Sequence, residues 1–483
     1  MSDDLLALLP VLIVAGWACV LILVDLFIPR RRKGITALLA AAGLLAALAV
    51  SATRLGLQQS AFNGMVIADG FSAILHLVFL FAGLIGIAQA YDYLKRQGIE
   101  EGEYYVLLLF AISGMMLMAQ AGDLIVIFLA MELLSIPLYV LSGFASPQPE
   151  SEESAMKYFL MGAFASGFLV YGIALVFGAA GTTDLHGVAQ ALHGALQSGN
   201  ALLLLGSAFI LVGLGFKVAA VPFHMWTPDV YQGAPSAVTA FMSVGAKAGG
   251  FAGLLRVFVA VFPDLGATWA PVAMILAALT MIWGNIAAIA QDNIKRMLAY
   301  SSIAHAGYLL MALPAAANSQ VAGDAISAVL FYLVAYAVSN LGAWGVVLAL
   351  EKTEGKGLTI TEYAGLGSRR PWLALAMALF MLSLTGIPPT VGFIGKFYVF
   401  RAVIEARLIW LAIVGVLTSL ISAYYYLRVV VVMYMEAGEP QTRAELWLNA
   451  TVFLTGLATL ILGVLPGPLF SLLSRVGMLS LLP

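Results

Sequence analysis

Apolar runs long enough to cross a lipid bilayer recur about fourteen times along this 483-residue chain, and that repetition leaves few folds open. A span needs ~20 mostly apolar residues to cover a hydrocarbon core of ~30 Å. The runs extend approximately from Leu5 to Phe27, Ile35 to Ala52, Phe71 to Tyr91, Tyr104 to Gln120, Leu124 to Phe144, Ala155 to Phe177 and Ala201 to Tyr231. They continue from Ser236 to Phe262, Pro271 to Ala290, Ile294 to Leu313, Ala325 to Leu350, Pro371 to Phe400, Leu408 to Met435 and Trp447 to Phe470. Inside hydrocarbon a segment must satisfy its own backbone N–H and C=O groups, so each run is expected to be a helix. A chain that is 62% hydrophobic and 10% charged has too little polar surface for a water-soluble globule. The expected fold is an all-α integral membrane protein, a single polytopic domain over 1-483 with no polar linker long enough to separate soluble parts. Met1, Ser2, Asp3 and Asp4 lack the basic start of a cleavable signal, so the first run is expected to be a retained span.

Basic residues in short loops set the orientation of such a protein. With the N-terminal side called A and the opposite side B, fifteen of the 23 basic residues fall on side B, among them Arg30, Arg31, Arg32 and Lys33. Side A holds Arg54, Arg401, Arg407 and Arg475, and Lys217, Lys247, Arg256 and Lys396 lie within runs. Side B is therefore expected to be cytoplasmic, with both termini outside. The seventh and twelfth runs are over-long, and each joins a proline interruption to a lysine: Lys217 with Pro222, and Lys396 with Pro388 and Pro389. Proline removes a helix hydrogen bond, so two discontinuous helices are expected, as many transporters use at the membrane midplane. They are five helices apart, an odd number, so helices 4-8 (103-262) and helices 9-13 (271-435) enter the membrane from opposite faces. That is the pattern of two inverted five-helix repeats, flanked by helices 1-3 (1-102) and helix 14 (447-472).

The charges inside these runs carry the chemistry. A charge at the bilayer centre costs ~2.5–3.5 kcal/mol even on the lenient insertion scale, so it must face protein or water. Glu132 lies in LIVIFLAMELLSIPLY, too deep for its short side chain to reach either surface, and is expected to find a cation among Lys217, Lys247 and Lys396. One such pair is explained as a packing device. Four buried ionisable groups together with His305 are not, because apolar residues pack as well. Lysine holds a proton beside a carboxylate and releases it when the carboxylate withdraws, which arginine cannot do, and histidine relays near neutrality. The set reads as a horizontal proton wire with Glu132 at one end.

Other polar positions are weaker signals. His224 follows the break at Pro222, where extending the wire and capping freed backbone are equal readings. Asn285, Asn340, Ser301, Ser302 and Tyr424 to Tyr426 suit hydrogen bonding between helices. Arg256 is expected to snorkel to a surface, Asp123 to cap a helix, and Lys157 to sit at the side-B surface. The loop from Gly181 to Asn200 has helical apolar spacing and is expected to be a short interfacial helix carrying His186 and His193 as surface polar residues. Near balance of charge, net -2, argues against nucleic acid as a partner. Cys19 is the single cysteine, and no CxxC, CxxCH or HExxH motif occurs, so no metal or iron-sulfur site is expected on this chain.

The stretches FLAMELLSIPLYVLSGF, GFKVAAVPFHMWTPDVYQGAP, NIKRMLAYSSIAHAGY and LTGIPPTVGFIGKFYVF resemble the proton-translocating, antiporter-like membrane subunits of respiratory complex I, the NADH:quinone oxidoreductase. The resemblance runs from the first span to the last. It implies that Glu132, Lys217, Lys247, His305 and Lys396 are the family's proton-carrying residues, and that the protein resides in a bacterial cytoplasmic (inner) membrane. It also implies partners, namely the other membrane-arm subunits and lipids rather than a second copy, with FMN, iron-sulfur clusters and quinone on those partner subunits. Two alternatives share parts of this pattern: a subunit of a multi-subunit sodium/proton antiporter, and a passive scaffold.

Overall fold

The computed structural model describes residues 3–195, 201–259, 261–262, 265–352, 357–443 and 445–475. Its longer helices, in chain order, are α1 (Leu9–Asp25), α2 (Gly34–Ala52), α3 (Gly70–Arg96), α4 (Glu103–Ala119), α5 (Leu124–Ser142), α6 (Pro149–Ala180), α7 (Ala201–Val218) and α8 (Trp226–Gly233). There follow α9 (Ser236–Leu254), α10 (Gly266–Ile289), α11 (Ile294–Leu310), α12 (Ala322–Leu350), α13 (Pro371–Thr385), α14 (Val391–Glu405), α15 (Ile409–Met435) and α16 (Leu446–Val464). All fourteen apolar runs contain helix. Among the described residues, ten helices are by themselves long and apolar enough to cross a membrane. The shortfall has a simple cause: α1, α4 and α11 are 17 residues each, and the twelfth run is split into two 15-residue helices. The loop helix expected between the sixth and seventh runs is present as Leu185–Ala195, while the side chain of His193 lies outside the described residues.

The two most buried helices are not the most apolar ones. The helix segment Ser236–Val259 has the lowest mean hydropathy of the ten, 1.3, yet it is wholly buried, and α12 is nearly so. The outer helices α2, α6, α10, α15 and α16 leave more than half of their apolar windows uncovered. The polar cargo of α9 is thus held at the centre, with apolar helices turned outward to lipid or partner. Small residues allow this packing. A Cβ at Gly250 would lie 2.8 Å from Val218 and 3.3 Å from Lys217, and one at Gly253 3.0 Å from Leu214, so α9 lies directly against α7.

A backbone pattern occurs twice. Leu124 N–H donates to Thr183 O (2.9 Å) and Leu185 N–H to Gly122 O (3.0 Å); Ile294 N–H donates to Leu358 O (2.8 Å) and Ile360 N–H to Asp292 O (2.8 Å). In each case the residue just before the helix caps it. Asp123 accepts from Ile125 N–H (2.7 Å), and Asn293 accepts from Lys295 N–H (2.9 Å). α4 packs against α5 and α10 against α11. Asp229 of α8 links α6 to α11 by accepting from Lys157 (2.7 Å) and Arg296 (2.8 Å). Lys157 keeps a partly exposed side chain, as its position at a helix start suggests.

Arg256 corrects an expectation, for it does not snorkel. It lies in a π-helical turn, Leu255–Val259, that follows α9 and aims the guanidinium inward. The side chain is fully buried. Nη2 meets Asp69 at 2.7 Å, Nε and Nη2 donate to Ala119 O at 3.0 and 2.9 Å, and the group lies 4.8 Å above the Phe71 ring. Asp69 caps α3, so this ion pair ties the N-terminal helices to α9. Removing one partner of a buried pair costs about 3–5 kcal/mol. Arg256→Met is accordingly expected to lower the melting temperature of the detergent-purified protein, and Asp69→Asn added to it to recover part of the loss.

Candidate functional site

Both interrupted helices stop in the same way. At the end of α7, Ala219 takes a left-handed conformation (φ 62°), its N–H donating to Phe216 O (3.0 Å) and the Ala220 N–H to Gly215 O (2.9 Å). At the end of α13, Gly386 (φ 92°) donates to Ser383 O (3.0 Å) and Ile387 to Leu382 O (3.0 Å). This paired arrangement satisfies carbonyls that the helix can no longer reach. The lysines sit at these ends by different routes. Lys217 belongs to the last turn of α7. Lys396 comes from α14, beyond the break, and its Nζ donates back to Thr385 O (2.7 Å) at the end of α13. In both places a cation meets the negative pole of a half-helix. This explains why proline precedes lysine in only one of the two sequences.

Lys217 is 1% exposed. Its Nζ donates to Ser135 Oγ (2.7 Å) and Tyr158 OH (3.0 Å), with the Tyr158 and Tyr139 ring centres 5.2 and 5.8 Å away. Tyr158 is held by a parallel stack on Trp226, at 4.4 Å and 8°. Glu132 is placed otherwise than expected. It is half-buried, forms no ion pair with a lysine among the described residues, and accepts a hydrogen bond from Ser166 of α6. The helix explains the difference: Glu132 lies between outward-facing Leu129 and Ile136, whereas Ser135, one turn on, faces the interior and takes the lysine.

The remaining sites follow one another through shared contacts. Gly250, which packs on the stem of Lys217, is one turn from Lys247 on α9. Lys247 Nζ donates to Ser302 O (2.6 Å) on α11, and His305 is three residues further. The His305 Nδ1 lies 2.7 Å from Tyr332 OH and its Nε2 3.1 Å from Tyr426 OH, which in turn is bonded to Ser301. Next along α11 is Tyr308. Its ring carries the Lys396 ammonium 4.7 Å from its centre, and its hydroxyl accepts from Asn285 (3.1 Å). Lys396 also donates to Ser419 Oγ (2.8 Å). Lys247, His305 and Lys396 are all buried. The order of contacts across the bundle is the order along the chain.

His224 lies within electrostatic range of Lys247, although no direct hydrogen bond joins it to the row among the described residues. Its ring lies 6.2 Å from that of Trp283 on α10, and its Nδ1 has no hydrogen-bond partner. Sequence reasoning missed Ser166, Tyr158, Tyr139 and Tyr332. Only Ser135 carried a signal, being one turn from Glu132. Among the described residues no three His, Cys, Asp or Glu side chains converge as a metal site requires.

Known proteins match this chain over nearly its whole length. The family described as NADH:quinone oxidoreductase/Mrp antiporter, TM, matches residues 121–422. A protein of Chloroflexus aggregans named NADH-quinone oxidoreductase subunit N is 49% identical over 477 residues, 98% of this chain and 97% of its own. Its namesake from Trichlorobacter lovleyi is 45% identical over 469 residues, 96% and 95% of the two chains. A chain of respiratory complex I from Thermus thermophilus with bound aureothin superposes with a TM-score of 0.82 at 36% identity, covering 97% of this chain and all of that one. A chain of the Mrp complex from Dietzia sp. shares the fold, with a TM-score of 0.84 at 22% identity over 98% and 97% of the two chains.

The helix stops invite a direct test. A Cβ at Gly386 would stand 2.9 Å from Lys396 Cδ, in a backbone conformation that costs an L-residue about 1–2 kcal/mol. Gly386→Ala is expected to destabilise by at least that amount. Ala219→Gly, which relieves the same conformation in the other half, is expected to be neutral or to stabilise by up to about 1 kcal/mol. Unfolding of each variant by detergent titration measures both.

Proposed function

The chain belongs to the NADH:quinone oxidoreductase/Mrp antiporter family, and from that premise we propose that it carries protons along the row Lys217, Lys247, His305 and Lys396, from side B, the cytoplasmic face, outward. It is an antiporter-like membrane-arm subunit of NADH-quinone oxidoreductase, a multi-pass membrane protein that acts with other subunits of that complex. The membrane is the bacterial inner membrane, with both termini outside. NADH oxidation and quinone reduction, with their FMN and iron-sulfur groups, take place on neighbouring chains and drive the transfer. The recurring backbone pattern and paired helix stops support an inverted repeat of helices 4-8 and 9-13, which relates Lys217 to Lys396.

One observation carries the mechanism: each lysine of the row is buried against neutral partners. Lys217 meets two hydroxyls, Lys247 a carbonyl, and Lys396 a carbonyl and a hydroxyl. A lysine so placed loses its proton without stranding a buried counter-charge. Glu132 supplies the bias. In the arrangement described here it is bonded to Ser166, leaving Lys217 poised to release. Turned toward Lys217, the carboxylate holds the proton in place. Redox chemistry elsewhere in the complex shifts Glu132 between these positions, and the released proton passes by Lys247 and His305 to Lys396.

Lys217→Met in the assembled enzyme is expected to lower NADH-driven proton pumping and turnover together, by roughly tenfold or more, a barrier rise of at least ~1.4 kcal/mol. Lys217→Arg keeps the charge but cannot deprotonate, and is expected to be as impaired as the methionine variant. Full flux in the arginine variant would make Lys217 a structural cation only.

A further inference from the structure

On side B, a cavity of about 440 Å³ opens between the α8–α9 joint, the start of α11 and the end of α12. Exposed Gln148, Glu150 and Gln232 form its mouth; its floor consists of Tyr93, Lys295 and Glu351, each at most 4% exposed. None of the floor residues belongs to the row described above. Tyr93 OH donates to Glu351 Oε1 (3.2 Å) and accepts from the N–H of Ser236, the first residue of α9 (3.1 Å). Lys295 Nζ donates to Ala234 O (2.7 Å). The second carboxylate oxygen, Glu351 Oε2, is buried and has no hydrogen-bond partner. A buried carboxylate oxygen left unpaired at the floor of a polar cavity is costly unless water or a proton reaches it.

From that floor a line of hydroxyls leads inward. Lys295 and Ser302 share a face of α11, seven residues or ~10 Å apart, and Ser302 is the residue whose carbonyl receives Lys247. The hydroxyls of Tyr231 and Tyr336 lie beside that of Ser302, and none of the three completes a direct hydrogen bond. Rotation of a hydroxyl about its C–O bond lets such neighbours hand a proton from one to the next.

We propose that Glu351 is the group that takes up protons from side-B water and feeds them to Lys247 through Tyr231, Ser302 and Tyr336. A hydronium ion in the cavity gives its proton to Glu351 Oε2, leaving water. The proton then leaves along the hydroxyl line to the neutral amine of Lys247, which becomes an ammonium as Glu351 returns to carboxylate. Lys295 is fixed on a main-chain carbonyl at the same floor and keeps the cavity polar. The assignment rests on the proton-carrying reading of the row.

The test uses the complete complex in sealed membrane vesicles. Glu351→Gln retains an acceptor for Tyr93 but cannot carry a proton, and is expected to reduce turnover and pumping about tenfold, while Glu351→Asp keeps most of both. A reversible block separates this role from a structural one. With Cys19→Ser as background, Ile99→Cys places a thiol on the cavity wall, and a membrane-impermeant methanethiosulfonate added from side B is expected to stop turnover until a reductant removes it. Loss in Lys217→Met with full activity in Glu351→Gln overturns the entry site and leaves the row standing; full activity in both overturns both. If Glu351→Gln fails to assemble, the thiol block decides alone, and turnover that persists through it refutes the proposal.

Discussion

A backbone carbonyl freed inside a membrane has no water to turn to, and this protein answers that constraint with its own cations. Lys396 donates to the last carbonyl of α13, Lys295 to Ala234 O just past α8, and Arg256 to Ala119 O at the end of α4. Only the last of these also has a carboxylate partner among the described residues. Arginine never changes charge, so the Arg256–Asp69 pair fixes helices to one another in a single state. Lys396 and Lys247 instead meet neutral partners.

That same constraint shapes the bundle as a whole. A membrane core is ordinarily no more apolar than the lipid around it, so burying a helix gains little from hydrophobicity. The segment Ser236–Val259, the least apolar of the long helices, is the one most completely enclosed. Its glycines let α7 approach closely, with Gly250, one turn from Lys247, against the stem of Lys217. The buried polar groups are thus embedded in an otherwise apolar interior, and further apolar residues face outward.

Much of this was legible in the sequence. Apolar runs locate the helices, proline with lysine marks the broken ones, and the price of a charge in lipid singles out Glu132, Lys217, Lys247, His305 and Lys396 before any coordinates. What was hidden is partnership. Arg256 and Asp69 meet across 187 residues, Lys217 and Tyr158 across 59, and no local pattern announces either. The error at Glu132 is of the same kind. Depth along a helix can be counted from its ends, but which face turns inward depends on neighbours, and in an all-apolar helix the usual amphipathic cue is missing. Glu132 sits on the flank of α5 between outward-facing Leu129 and Ile136, within electrostatic reach of Lys217 but bonded to Ser166. Arg256 failed for another reason: the π-helical turn that redirects it has no sequence signature of its own.

The hydrogen bonds of the two broken-helix lysines have a stoichiometry that bears on their chemistry. Lys217 has two acceptors, Ser135 and Tyr158, and Lys396 has two, Thr385 O and Ser419. An ammonium has three hydrogens and a neutral amine two. Each site therefore uses as many donors as remain after a proton has gone. Deprotonation sacrifices no hydrogen bond, the helix end stays capped, and the scaffold need not register which charge state its lysine is in.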